Sequence, residues 1–383
     1  MILPIYLDHS ATAEPWPDVL DYFASQLRKS FANPSSMHRL GRQAEKSLDD
    51  SCQQLAAALG CQHDELILTS GGSESINLAI KGFAGANPRL GNRIVTSCGE
   101  HAATVETLKY LRLHGFEVVE VPLLPSGRID LKILAEALAK PTALISLIHV
   151  SNETGSVNPV EAVVRLRNQL QPAAAIHLDA VQSVGRLPVN FQQMGIDLLS
   201  GSGHKVGAPK GIGWLIVRQG TRLTPQIHGG GQQHGLRSGT ENPPLTAAMA
   251  LAVKLTAGDL AEKTLIVNSL RLQLLAALSG AGVSYDVLSP ADGVPHILAI
   301  AFPGLRGETL LHALEAREIY VSTGSACSSR KKKHNPVLRA MGVPDHLAAC
   351  AIRISLSARN TPEEIVQAAQ AIAESCRNLI AGK

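Results

Sequence analysis

Short apolar runs closed by glycine, serine or charged residues punctuate the first two thirds of the chain. Residues 65–70, 93–97, 116–122, 143–150, 176–182 and 211–217 are such runs, and each reads as a strand. They are apolar almost throughout rather than alternating, the pattern of strands buried on both faces in a parallel sheet. Stretches with helical spacing lie between them, over residues 43–59 and 76–83 and from Glu100-His101 onward. Strands alternating with helices at this spacing predict a parallel sheet with helical crossovers. A polar loop follows over residues 228–240, then an Ala/Leu-rich helix from Pro244 towards Leu255 and a second long helix from Asp259 to Leu278. A boundary is expected near residues 256–259. Beyond it the pattern changes to strands at 297–302, 319–322 and 351–357, a helix at 308–315, and a last helix opened by Thr361-Pro362-Glu363-Glu364. That tetrapeptide is a capping box with proline at the first helical position. The carboxy-terminal part therefore reads as a compact α+β unit.

Candidate chemistry collects where the predicted strands end. Ligands in open α/β sheets sit beyond the carboxyl ends of the strands, which puts Asp179, Ser202, His204 and Lys205 on one rim. A lysine beside a carboxylate on such a rim points to pyridoxal 5′-phosphate. That cofactor needs an amine for its Schiff base and an anion to keep its ring nitrogen protonated. Gly71-Gly72-Ser73-Glu74-Ser75, between a strand and a helix start, forms a phosphate cradle of free N–H groups at the positive end of the helix dipole. It is neither a Walker loop nor a dinucleotide-binding glycine fingerprint. Ser151-Asn152-Glu153-Thr154-Gly155 ends another strand on the same rim. Arg353 stands in an apolar strand, where an unpaired charge would be costly. Cys327 lies in Gly324-Ser325-Ala326-Cys327-Ser328-Ser329, followed by Arg330, Lys331, Lys332 and Lys333. Small neighbours leave its sulfur accessible, and nearby positive charge favours the thiolate.

Composition narrows the alternatives. A net charge of +3 gives no call for nucleic acid or an anionic membrane, and aromatics are too sparse for base stacking. No stretch is long enough for a membrane span. The amino-terminal residues do not form a signal peptide, so a cytoplasmic location is expected. None of the six cysteines forms a Cys-x-x-Cys pair, so no metal site and no disulfide framework are expected. Cys52, Cys61, Cys350 and Cys376 lie in helix-like contexts and read as packing residues.

Together these motifs, from Tyr6 to about Glu364, resemble the pyridoxal-phosphate-dependent cysteine desulfurases of the class V aminotransferase group. The resemblance implies a type I PLP-transferase fold of the α/β class. A large, mainly parallel-sheet domain would span residues 14–257, and residues 1–13 and 258–383 would form a small α+β domain carrying the cysteine loop. In this family pattern Lys205 corresponds to the Schiff-base lysine that also removes the substrate's Cα proton. Asp179 corresponds to the partner of the ring nitrogen, Gln182 to a donor on the ring's phenolic oxygen, and His101 to the imidazole stacked on the ring. Gly72 and Ser73 correspond to the phosphate cradle, with Ser202 and His204 beside them. Thr240 corresponds to a residue reaching the phosphate of the neighbouring subunit in a homodimer. Asn152 corresponds to an amide near substrate and ring, Arg353 to the grip on the substrate carboxylate, and Cys327 to the cysteine that takes the sulfur of L-cysteine. Alanine would be released and the persulfide passed to an acceptor protein, an iron–sulfur scaffold being one candidate. Five positions depart from the family's usual residues, at His9, Ser151, Gly207-Ala208 and Gln233, and none removes a group that the chemistry needs. Two rivals remain. One is a selenocysteine or carbon–sulfur lyase of the same cofactor group, which needs no loop cysteine. The other is a cofactor-bearing scaffold for sulfur-transfer partners that performs no catalysis.

Overall fold

A computed structural model describes residues 4–324 and 335–381. Cys327 and the basic run at 330–333 lie outside the described residues. In chain order the described strands are β1 (Ile5–Tyr6), β2 (Leu66–Thr69), β3 (Arg93–Ser97), β4 (Glu117–Val121), β5 (Leu144–Ile148), β6 (Ala175–Asp179), β7 (Leu198–Ser202), β8 (Gly213–Val217), β9 (Asp286–Val287), β10 (Ile297–Ala301), β11 (Ile319–Tyr320) and β12 (Ala351–Ser355). Seven form one sheet in the order β2-β8-β7-β6-β5-β3-β4. Only β8 runs against its neighbours, so the other six strands all end on the same edge.

The sheet is covered on both faces, as its apolar runs predict. Leu66, Leu68, Ile145, Leu147, Leu199 and Ile216 pack into one layer with Leu55, Leu59, Met249 and Val253 from helices Arg39–Leu59 and Pro243–Ala257. The residues between them, Ile67, Leu144, Leu198 and Leu215, face the opposite layer with Ile76, Ile80, Phe83 and Leu111. Successive side chains point to opposite faces, so a strand buried on both sides must be apolar at every position.

A second core forms around the antiparallel sheet β12-β10-β9. It joins Ile300, Ile352 and Ile354 to Leu270 and Leu274 of helix Leu260–Gly280 and to Ile365 and Ile372 of helix Pro362–Ala381. Ile5 and Leu7 belong to this core, and β1 pairs in parallel with β11. Thr361 and Glu364 exchange the two hydrogen bonds of a capping box, at 3.1 and 3.2 Å. Among the described residues no helix is long and apolar enough to cross a membrane.

Some local expectations are corrected. The helix expected from residue 43 begins at Arg39, because His38 caps it by accepting the Gly41 N–H. Cys61 is not helical, since Gly60 ends that helix in the left-handed region at φ 65°. Cys350 lies in the turn before β12. Cys52 and Cys376 are buried in helices, and burial pushes their thiols up to about 12 and about 11, which keeps them unreactive.

On β7, Gly201 admits the Trp214 ring: a Cβ there would meet ring atoms at 2.0 Å. Trp214 is fully buried and has nowhere to go. The Gly201→Ala variant is expected to lose about 1–3 kcal/mol of stability, read as a lower urea midpoint. An unchanged midpoint would show that this part of the sheet is not tightly packed.

Candidate functional site

A cavity of about 350 Å³ opens at the edge where the six parallel strands end. Asp179 is the last residue of β6 and Ser202 the last of β7, with Lys205 a single turn further on. The turn after β2 brings Gly72 and Ser73 to the opposite wall, at the start of helix Gly72–Ala86. Gly72, Ser73, His101, Asn152, Asp179, Gln182, Ser202, His204 and Lys205 all line the cavity. Nine of the site residues expected from the sequence are thus neighbours in space. Thr240 is exposed in the loop before helix Pro243–Ala257, and neither it nor Arg353 lines the cavity. No group of residues suited to a metal ion occurs among the described residues.

Electrostatics divide the walls. Asp179 is buried, and burial pushes its carboxyl up, while His101, the Val181 N–H and Lys205 pull it back. One oxygen accepts the Val181 N–H at 3.0 Å. Lys205 is pushed down to about 8, first by burial and then by the charges of Arg186 and Arg353, against Asp8 and Asp179. Its Nζ donates to the main-chain carbonyls of Ser10 (2.7 Å) and Ala11 (2.6 Å). Gln182 also donates to the Ser10 carbonyl, at 2.8 Å, and its amide oxygen is buried without a partner. His101 caps helix Ala102–Leu113, its Nδ1 accepting the Ala103 N–H at 3.1 Å. Nε2 is then the nitrogen that carries the proton of the neutral ring. His204 bonds Thr12 through Nδ1 at 3.1 Å and is pushed down to about 4 by burial, then by Lys205 and Lys210.

Several residues shape this site through contacts that the sequence does not show. Glu74 projects from the cradle turn, and Arg237 (2.8 Å) and the Ser70 N–H (2.7 Å) bind its carboxylate. Burial raises this carboxyl, but those hydrogen bonds outweigh it and hold the group below its usual range. Glu100, beside His101, is pushed up to about 8 by burial. Arg353 on β12 is buried and reaches Asp8 at 2.9 Å and the Asn152 carbonyl at 3.1 Å. Buried Glu153 accepts the side-chain amides of Asn152 and Asn335, both at 2.8 Å. Arg353 and Glu153 could be suspected from burial cost alone. Arg186 and the Ser10 and Ala11 carbonyls could not.

Pyridoxal phosphate fits this arrangement. Cavities of this size accommodate small cofactors. Asp179 is a buried carboxylate with no ion pair to a cationic side chain among the described residues, a place for a cationic ring nitrogen. Gly72 is so close to Val181 that a Cβ would meet it at 2.8 Å, so the helix N-terminus is presented as bare backbone. Lys205 stands between the two walls.

Fold and site define a pyridoxal-phosphate enzyme of the type I class. The model of the class-V aminotransferase family matches residues 5–367, and the chain belongs to that family. Among curated relatives, a NifS/IcsS protein homolog of Lactobacillus delbrueckii subsp. bulgaricus is 40% identical over 94% of both chains. The cysteine desulfurase IscS of Serratia proteamaculans is 40% identical over 99% of this chain and 94% of its own. Among solved structures, a NifS-like protein superposes with a TM-score of 0.92 at 34% identity, covering 97% of this chain and 99% of its own.

The Lys205 pKa makes a prediction for the protein freed of cofactor. Its folded value, about 8, lies below the ordinary 10.5. Between these values the unfolded chain binds more protons, so stability rises with pH across that window. The Lys205→Met variant is expected to lack this part of the rise, about 3 kcal/mol at most. Unfolding free energies of both proteins below and above the window test this, and parallel profiles would contradict it.

Proposed function

We propose that the chain is a pyridoxal-phosphate-dependent cysteine desulfurase that converts L-cysteine to L-alanine and transfers the sulfur to Cys327. The observation that carries this reading is the single cavity in which an unpaired buried carboxylate, a lysine of lowered pKa and a bare helix N-terminus face one another. Membership of the family and the named relatives agree with it. Bound pyridoxal phosphate supplies an electron sink for charge that develops on the substrate carbons. Asp179 holds the negative charge that keeps that sink cationic. Gly72 and Ser73 present main-chain N–H groups to a phosphate, with Ser202 and His204 beside them.

Lys205 performs the proton transfer. With a pKa near 8, a useful fraction of its amine is neutral at physiological pH, and the rest can return the proton. His101 holds the ring plane and can pass a proton at Nε2. Arg353 offers a planar two-pronged donor suited to a carboxylate. Its Nε has no partner among the described residues, and Asp8 and the Asn152 carbonyl orient the other two nitrogens. In the sulfur step the Cys327 thiolate forms an S–S bond with the substrate sulfur. The C–S bond breaks with its electron pair left on carbon, and a proton added at Cβ completes alanine. Cys327 is left as a persulfide, which an acceptor protein then takes. Thr240 serves the phosphate of a neighbouring subunit in a homodimer, and the enzyme works in the cytoplasm.

Peptide mass spectrometry of the holoenzyme after exposure to L-cysteine tests this. The expected result is one added sulfur on Cys327 with alanine released. Cys327→Ala should abolish both, and Lys205→Ala should slow turnover roughly 10²- to 10⁴-fold. Alanine or pyruvate formed with Cys327 unmodified, and activity that survives Cys327→Ala, would sink the persulfide step and favour a lyase.

A further inference from the structure

A second cavity, about 70 Å³, lies on the other side of Lys205, the one residue that the two cavities share. Arg186, His9, His296 and Trp16 line it, and exposed Glu14 stands at its mouth. Arg186 is only 8% exposed. Its Nη1 donates to the Gln182 carbonyl at 3.0 Å, and no carboxylate among the described residues pairs with it. The nearby acids are already engaged: Asp8 holds Arg353 at 2.9 Å, and Glu14 holds Arg359 at 2.8 Å. Lys263, also on this wall, rests on the carbonyls of Leu255 and Gly258. Among the described residues, Nε2 of His9 and Nδ1 of His296 are buried without a partner. Burial, assisted by Arg186, pushes these two imidazoles down to about 4 and about 3. They are therefore neutral near pH 7; the one N–H of His9 is drawn to the Tyr6 carbonyl, while His296 has one N–H to donate.

We propose that this cavity binds one small monovalent anion of halide size, held by the guanidinium of Arg186 and the ring N–H of His296. A buried unpaired guanidinium is costly, and an anion compensates it. Water would satisfy the imidazoles but leave the charge uncompensated. The volume holds a few water-sized particles and excludes an amino acid or a sugar acid. The site is separate from the cofactor cavity and does not depend on the desulfurase reading. Its effect would reach Lys205, because an anion on Arg186 cancels a charge that opposes protonation of that amine.

Two measurements on the holoenzyme test the proposal. Crystals grown in sodium bromide should show a bromine anomalous peak at hydrogen-bond distance from the Arg186 guanidinium. In solution, sodium chloride should raise the melting temperature saturably over sodium gluconate at equal ionic strength, gluconate being too large to enter. Arg186→Met should abolish that shift, and Arg186→Lys should move it to higher chloride. Should the methionine variant fail to fold, the lysine variant and the wild-type arms decide. Ordered water without an anomalous peak would overturn the proposal. So would a peak with no chloride-dependent shift, which is binding at crystal concentration only, or a full shift retained in Arg186→Met.

Discussion

Three cations, half-buried Lys205 and buried Arg186 and Arg353, surround the amino-terminal loop of residues 8–12, and keeping them there constrains the rest of the site. Charges leave water only at a cost, which main-chain carbonyls and carboxylates must offset. Lys205 is answered by Ser10 and Ala11, Arg186 by Gln182, and Arg353 by Asp8 and Asn152. None of the three has a close carboxylate to itself except Arg353. Burial first, and then repulsion from Arg186 and Arg353, lower the pKa of the Lys205 amine. The crowding that costs stability is thus part of what brings the lysine's pKa down towards neutrality.

Glu153 performs a comparable service on the other side of Arg353. Its carboxylate is 3.7 Å from that arginine and accepts amides from Asn152 and Asn335. Asn335 in turn caps the helix Pro336–Ala340. Gly324 packs beside both: a Cβ there would meet the Asn335 amide at 2.4 Å and Glu153 at 2.8 Å, and its φ of 86° also favours glycine. One buried acid therefore links the loop after β5 to residues on either side of 325–334, the segment whose sequence contains Cys327.

Much of this was legible in the sequence. Strands buried on both faces write themselves as apolar runs, so the large sheet and its carboxyl edge follow directly. Asp179, Lys205 and the turn at Gly72 were legible because each closes such a run. What stayed hidden has a common cause. Ser10 and Ala11 act through carbonyls that every residue possesses, and Arg186 is an ordinary arginine until the fold buries it. The Glu74–Arg237 pair joins residues 163 apart, a separation no local pattern encodes. Gln233 is similar: its side chain caps the Leu68 N–H of edge strand β2 at 2.7 Å, a duty invisible in a polar loop. The early start at Arg39 escaped notice because the cap there is a histidine rather than one of the short polar residues that usually mark a helix start.

The loop behind Lys205 is fastened by Ser355, whose hydroxyl bonds both the Ser10 N–H and the Ser10 hydroxyl across 345 residues. A ribosome makes Ser10 345 residues before Ser355. Once residue 217 has been made the seven-stranded sheet can assemble while its lysine still lacks the anchored loop that later holds it. Such long-range closure is the slow part of folding. Completion of the pocket therefore waits for residue 355, and a polypeptide that has not reached it lacks the anchored loop behind Lys205.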